Sequence, residues 1–248
     1  MKRLLATTSL CIAAFSAPVH ALDLTAMSAQ ERSAFRAEVR AFLMENPDVI
    51  IEAVNQMEAN QAAEQEQNDL TLIATNAEAL FNDGYSWVGG NPEGDITVVE
   101  FLDYRCGYCR KAHTEVEQLL ANDGNIRLIV KEFPILGEAS TVSSRFAVAT
   151  KLVGGNDAYK AVHDALISFS GEPSAAALAR LAEGLGLDAG AISAKMDSEE
   201  VTKEINETRA LAQRLQIRGT PTFVMGDQLV RGYVPLDAMQ QIIDEERG

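Results

Sequence analysis

The sequence has little cysteine and little positive charge: three cysteines, and 21 Lys and Arg against 36 Asp and Glu, in 248 residues. So few cysteines exclude a scaffold stapled by several disulfides. The acidic excess excludes nucleic acid as a partner, because phosphates would be repelled rather than neutralised. The acids are spread along the chain, which reads as a solvated surface rather than an interaction tail. Apolar runs are short as well, and none is long enough to span a bilayer.

One such run lies at the start. Lys2 and Arg3 precede Leu4 to Phe15, and Val19-His20-Ala21 supplies the small residues of a cleavage site. This is the layout of a secretory signal peptide over residues 1–21, which implies export to the periplasm. Thr8-Ser9-Leu10 ahead of Cys11 fits a lipidation pattern poorly. Removing 1–21 takes away Lys2, Arg3 and Cys11 but no acid, leaving 19 basic against 36 acidic residues, a net charge of −17.

Residues 22–82 are rich in Ala, Glu, Gln and Asn and read as an N-terminal helical extension. Phe35, Val39, Phe42 and Leu43 form one apolar stripe at helical spacing, and Val49, Ile50, Val54 and Met57 form a second. Asn46-Pro47 predicts a break between them. The polar run Asn60 to Asp69 has little to bury and reads as an exposed linking helix. Two short amphipathic helices must cover their stripe with something. Either it packs back on the rest of the chain, or it meets its copies in a homo-oligomer through residues 28–60.

Residues 83–248 carry a different pattern. Ile96 to Leu102 is a β-prone run, Cys106 to about Leu120 reads as helix, and Ile126 to Val130 is a second strand. Strand, helix and strand with short connections make a βαβ unit with parallel strands. From about 138 to 216 only helical signals follow, in segments at Thr141–Leu152, Asp157–Phe169, Ala175–Glu183 and Glu199–Leu215. Thr222–Met225 and Gln228–Arg231 flank Gly226-Asp227 as a hairpin, and Leu236 to Glu246 is a last helix. The expected fold is α/β, a βαβ half and a ββα half around a helical insertion.

Cys106-Gly107-Tyr108-Cys109 holds the two cysteines left after the leader. A bridge closing so small a loop removes little chain entropy, so reactivity explains the pair better than stability does. Cys106 falls where a strand turns into a helix, and unpaired N–H groups and the helix dipole there favour an attacking thiolate. Cys109 lies almost one turn on and can resolve a mixed disulfide. The spacing predicts an exposed Cys106 and a buried Cys109. Structural zinc is the competing reading, with His113 on the same helical face, but no further cysteine exists and His163 lies in a distant segment. No metal and no cofactor is expected, and His113 reads as a surface or half-buried helix residue.

Val99 to Tyr104 leading into the cysteine pair, Lys131 to Gly137, and Gly219-Thr220-Pro221-Thr222-Phe223 together resemble the thioredoxin superfamily, and within it the DsbA-like thiol–disulfide oxidoreductases. The resemblance covers roughly Tyr85 to Glu246. It implies a cis Pro221 packed against the cysteines, with Thr220 beside the sulfurs and its backbone able to pair with a bound peptide. It also matches Glu100 to the family's acidic residue beneath the pair. A carboxylate buried there would accept the proton of the resolving cysteine; an ion pair or a solvent-facing edge is the structural alternative. The sequence departs from the best-known DsbA pattern, Pro-His between the cysteines, and Thr220 looks more like the superfamily's isomerases. The N-terminal extension is similar to that of DsbA-like proteins of the suppressor-of-copper-sensitivity type, some of which are trimers that shuffle disulfides.

The function expected is dithiol/disulfide exchange on unfolded or misoxidised exported proteins, as oxidase, isomerase or both. A membrane redox partner would reset the pair. The alternative is a binding protein without turnover, a holdase or a copper-handling module using the thiols as soft ligands.

Overall fold

A computed structural model describes residues 24–248. The signal-peptide expectation for 1–21, Cys11 included, lies outside the described residues. The chain divides into two compact units, one ending at Asn60 and the other running from Gln61 to Gly248.

In the first unit, α1 (Ala29–Glu45) starts at a capping box. The Glu31 N–H donates to Ser28 Oγ at 3.3 Å, and the Ser28 N–H donates to the Glu31 carboxylate at 2.8 Å. It ends at Asn46, whose backbone N–H and side-chain amide both donate to the Phe42 carbonyl. Pro47 follows, and α2 (Asp48–Thr75) begins immediately after it. Phe35, Val39, Phe42, Val49, Ile50, Val54 and Met57 are all exposed.

The second unit is built on a five-stranded sheet, β1 (Trp87–Gly90), β2 (Ile96–Leu102), β3 (Ile126–Glu132), β4 (Thr222–Met225) and β5 (Gln228–Arg231), in the order β1-β3-β2-β4-β5. β2 and β3 are parallel, joined by α4 (Gly107–Asp123), which stops at Gly124 with φ 70°. The other pairings are antiparallel. Period-two alternation along β2 divides the core. Val98 and Leu102 join one buried cluster, with Cys109, Val116 and Phe146. Val99 and Phe101 join another, with Ile73, Leu80, Leu211 and Leu215. Glu100 is in register with Val98 and Leu102, so it faces the side occupied by Cys109.

The compact unit therefore begins well before Asp83. The segment 61–82, grouped by composition with the extension, buries Ile73 and Leu80, the latter in α3 (Ala77–Phe81). Asp69, inside the polar run, is buried and accepts both guanidinium donors of Arg231 at 2.7 and 2.8 Å. Lys131, fully buried in β3, donates to the Ala79 carbonyl at 2.8 Å and to Asp83 at 2.5 Å, fastening the end of α3 to the sheet.

The insertion consists of α5 (Glu138–Ser168), α6 (Ala175–Gly184), α7 (Ala189–Lys195) and α8 (Glu199–Arg214), and α9 (Leu236–Arg247) closes the fold. The two helices expected around Gly154-Gly155 are the arms of α5, which breaks at Gly155 with φ 80° and ψ −170°. β1 and α7 are not visible in the sequence pattern. β1 is four residues long and ends in two glycines; α7 lies partly in the stretch Gly184 to Gly190 that reads as a separator.

Candidate active site

Cys106 is the N-cap of α4, with extended φ/ψ of −77° and 118°. Its N–H donates to the Asp103 carbonyl at 3.0 Å, and its carbonyl accepts the Arg110 N–H at 3.2 Å. Asp103, fully buried at the end of β2, holds this turn from below. One carboxylate oxygen accepts the Arg105 N–H at 2.8 Å; the other accepts the N–H groups of Ile135 and Leu136 at 2.8 and 3.0 Å. A single side chain thus ties the turn before the cysteines to the loop after β3. Sequence reasoning missed Asp103, although an acid at a strand end beside a tight turn is a known backbone-capping signal. Arg105 and Arg110 anchor the same turn to the insertion by donating to the carbonyls of Gly171 and Phe169.

Cys106 and Cys109 are free thiols. Cys109 is 0% exposed, and Cys106, expected to be exposed, is only 7% exposed. The reason is the loop opening β4, whose Thr220 carbonyl accepts a hydrogen bond from Cys106 Sγ at 3.1 Å. The Thr220–Pro221 peptide bond is cis. Burial pushes the Cys109 thiol well above the ordinary range, and the negative charge of Glu100 adds to the effect. Glu100 is itself pushed up to about 8, first by burial and then by the charges of Glu117 and Glu132. At neutral pH it is therefore mostly protonated. The Thr220 hydroxyl acts on Cys109 in the opposite direction, stabilising its anion.

Beside the pair, Gln65, Gln216, Arg218, Gly219, Thr220, Pro221 and Arg231 line an open cleft of about 550 Å³. Tyr108, Ile135 and Leu136 are exposed. The turn thus presents apolar side chains and a cleft close to a thiol held at a helix N-terminus, an arrangement suited to exchange with an extended peptide.

The model for the DSBA-like thioredoxin domain matches residues 97–244, more than half of the chain, including Cys106, Cys109, Glu100, Asp103 and the Thr220–Pro221 loop. The chain belongs to the DSBA-like thioredoxin domain family. A second family, the copper resistance protein ScsC N-terminal domain, matches residues 31–64. Among solved structures, a thioredoxin-like oxidoreductase from Silicibacter pomeroyi is 44% identical, with TM-score 0.64, covering 68% of this chain and 96% of that one. The thiol-disulfide exchange protein alpha-DsbA2 from Wolbachia pipientis is 28% identical, with TM-score 0.68, covering 73% and 97%. The Na(+)/H(+) antiporter NhaA 1 of Salinispora arenicola is 30% identical over 156 residues, 63% of this chain. The match spans about a quarter of that relative's length. Among the described residues, no helix is long and apolar enough to cross a membrane.

In this DSBA-like domain His113 is half-buried on α4, as expected, but His163 is not distant from it. His163, 50 residues from His113 in sequence, lies against it with ring centroids 5.2 Å apart. The inward arm of α5 closes on α4, which sequence separation concealed.

Proposed function

We propose that the chain is a periplasmic thiol–disulfide oxidoreductase for exported proteins, with residues 1–21 removed as a signal peptide. The observation that carries this reading is the pairing of an N-cap thiol, Cys106, with a wholly buried second thiol one turn later. In the reducing direction the Cys106 thiolate attacks a substrate disulfide, releasing one substrate thiolate and forming a mixed disulfide. Cys109 then loses its proton to Glu100 and attacks Cys106 Sγ. The substrate leaves as a thiolate and the Cys106–Cys109 disulfide forms. In the oxidising direction a substrate thiolate attacks Cys106 Sγ, and Cys109 departs, taking a proton from Glu100; a second substrate thiolate then attacks the substrate sulfur of the mixed disulfide, forming the substrate disulfide and releasing the Cys106 thiolate. A carboxyl with a pKa of about 8 can both give and take a proton near neutral pH, which suits Glu100 to either direction. A membrane redox partner resets the pair.

One observation favours isomerisation as well. The exposed stripe from Phe35 to Met57 on α1 and α2 has the spacing of a helix–helix interface, and its burial in a homotrimer through residues 28–60 would present several thiols to one misfolded chain. Residues 22–60 would then be the assembly segment. The test is oxidation of a reduced, unfolded protein and rearrangement of a scrambled one, each in a glutathione buffer, with mass in solution measured by light scattering. Catalysis of both by a trimer is expected. A monomer would remove the isomerase version, and no catalysis of either would remove the reading.

A further inference from the structure

Away from the cysteines, three metal-ligating side chains converge between α4 and α5. His113, His163 and Asp164 each bring one donor atom within 4.8 Å of the others, and neither cysteine joins the group. His113 Nε2 faces Asp164 Oδ1 at 3.4 Å. His163 is buried, with Nδ1 3.1 Å from the Tyr104 hydroxyl, and that hydroxyl donates to Glu132 at 2.6 Å. With its own proton donated to Glu132, the Tyr104 oxygen is free to accept from His163 Nδ1, the tautomer that would leave the Nε2 lone pair for a ligand. A metal-binding imidazole is oriented in this way, by donating its other nitrogen to an outer partner.

The site already attracts a cation. Lys160, on α5, places Nζ 2.6 and 2.8 Å from the two Asp164 oxygens and 3.3 Å from Glu117, one turn beyond His113 on α4. We propose that His113, His163 and Asp164 form a binding site for a borderline divalent cation such as Zn2+, with the Lys160 ammonium as its internal competitor. Two imidazoles and a carboxylate suit that class of ion and leave a fourth position open. Donors around such an ion at about 2 Å lie about 3.3 Å apart. Asp164, with 41% of its side chain exposed, and the half-buried His113 have the freedom to close the remaining distance. The bound ion would clamp α5 to the helix that carries both cysteines.

The test uses the mature protein with Cys106 and Cys109 oxidised, so that no thiolate competes, and titrates Zn2+ against a chromophoric chelator. One Zn2+ per chain is expected. His113→Gln and Asp164→Asn should each weaken binding by about tenfold or more. Lys160→Gln should tighten it, a gain that misfolding would not produce. Wild-type protein that takes up no Zn2+, binding indifferent to His113→Gln, or binding weakened by Lys160→Gln would each overturn the proposal.

Discussion

The Cys106 thiol donates a 3.1 Å hydrogen bond to the carbonyl of Thr220, joining residues 114 positions apart. Cys106 is thus fixed at both ends: Asp103 holds its backbone turn, and the loop opening β4 holds its sulfur. That loop also lines the cleft, so a peptide entering there meets the backbone group that positions the thiol.

The Thr220 side chain is a separate handle, because its hydroxyl hydrogen-bonds towards Cys109 and favours its anion. Thr220→Val keeps the carbonyl and removes the hydroxyl. Losing one hydrogen bond worth about 1 kcal/mol should slow resolution by about fivefold. Stopped-flow decay of a preformed Cys106 mixed disulfide measures this; an unchanged rate would contradict it.

Glu100 should make stability depend on pH. Its folded pKa lies above the ordinary 4.5, at about 8, so its contribution is complete below about 4.5 and is lost as pH rises through 8. Glu132, pushed up to about 7 mainly by burial, acts in the same direction. Each pH step between the unfolded and folded values is worth on the order of 1.4 kcal/mol, so Glu100→Gln should flatten the decline between pH 5 and pH 9 by a few kcal/mol. Urea unfolding at the two pH values provides the comparison. An unaltered slope would mean that Glu100 ionises as freely folded as unfolded.

Lys131 and Asp83 form a buried pair, with the lysine side chain 0% and the aspartate side chain 8% exposed. Lys131→Met leaves the carboxylate unpaired and should cost about 3–5 kcal/mol. The double variant Lys131→Met with Asp83→Leu should recover much of the loss. A single variant within about 1 kcal/mol of wild type would show that water already screens the pair.

The apolar stripe gives a prediction about mass. Phe42→Asp together with Ile50→Asp should convert a trimer to monomers while the insulin-reducing activity of the cysteine pair persists. Light scattering distinguishes the two states, and a trimer that tolerates both charges would place the interface elsewhere.

Much of the fold was legible because local signals agreed. The β4–β5 hairpin was read residue for residue, since Gly226 supplies the φ of 57° that the turn needs. The strand-to-helix position of Cys106 was equally plain. Long-range closure was not. Nothing local announces that Asp103 caps the Ile135–Leu136 backbone, or that Asp69 in a polar run accepts the Arg231 guanidinium. Without the family resemblance, nothing in the spacing would have brought Thr220 to Cys106. His163 was set aside as distant because the break at Gly155, which lets the second arm of α5 lie against α4, has no signature that gives its direction.

The central claim, that Cys106 attacks and Cys109 resolves, is tested most directly by trapping. Full-length Cys109→Ser protein is exported, and its adducts are separated without reductant. The account predicts covalent complexes with other exported proteins that dithiothreitol dissolves and that vanish when Cys106→Ser is added. Adducts that persist without Cys106, or a Cys109→Ser protein that binds exported proteins but forms no covalent complex, would contradict it.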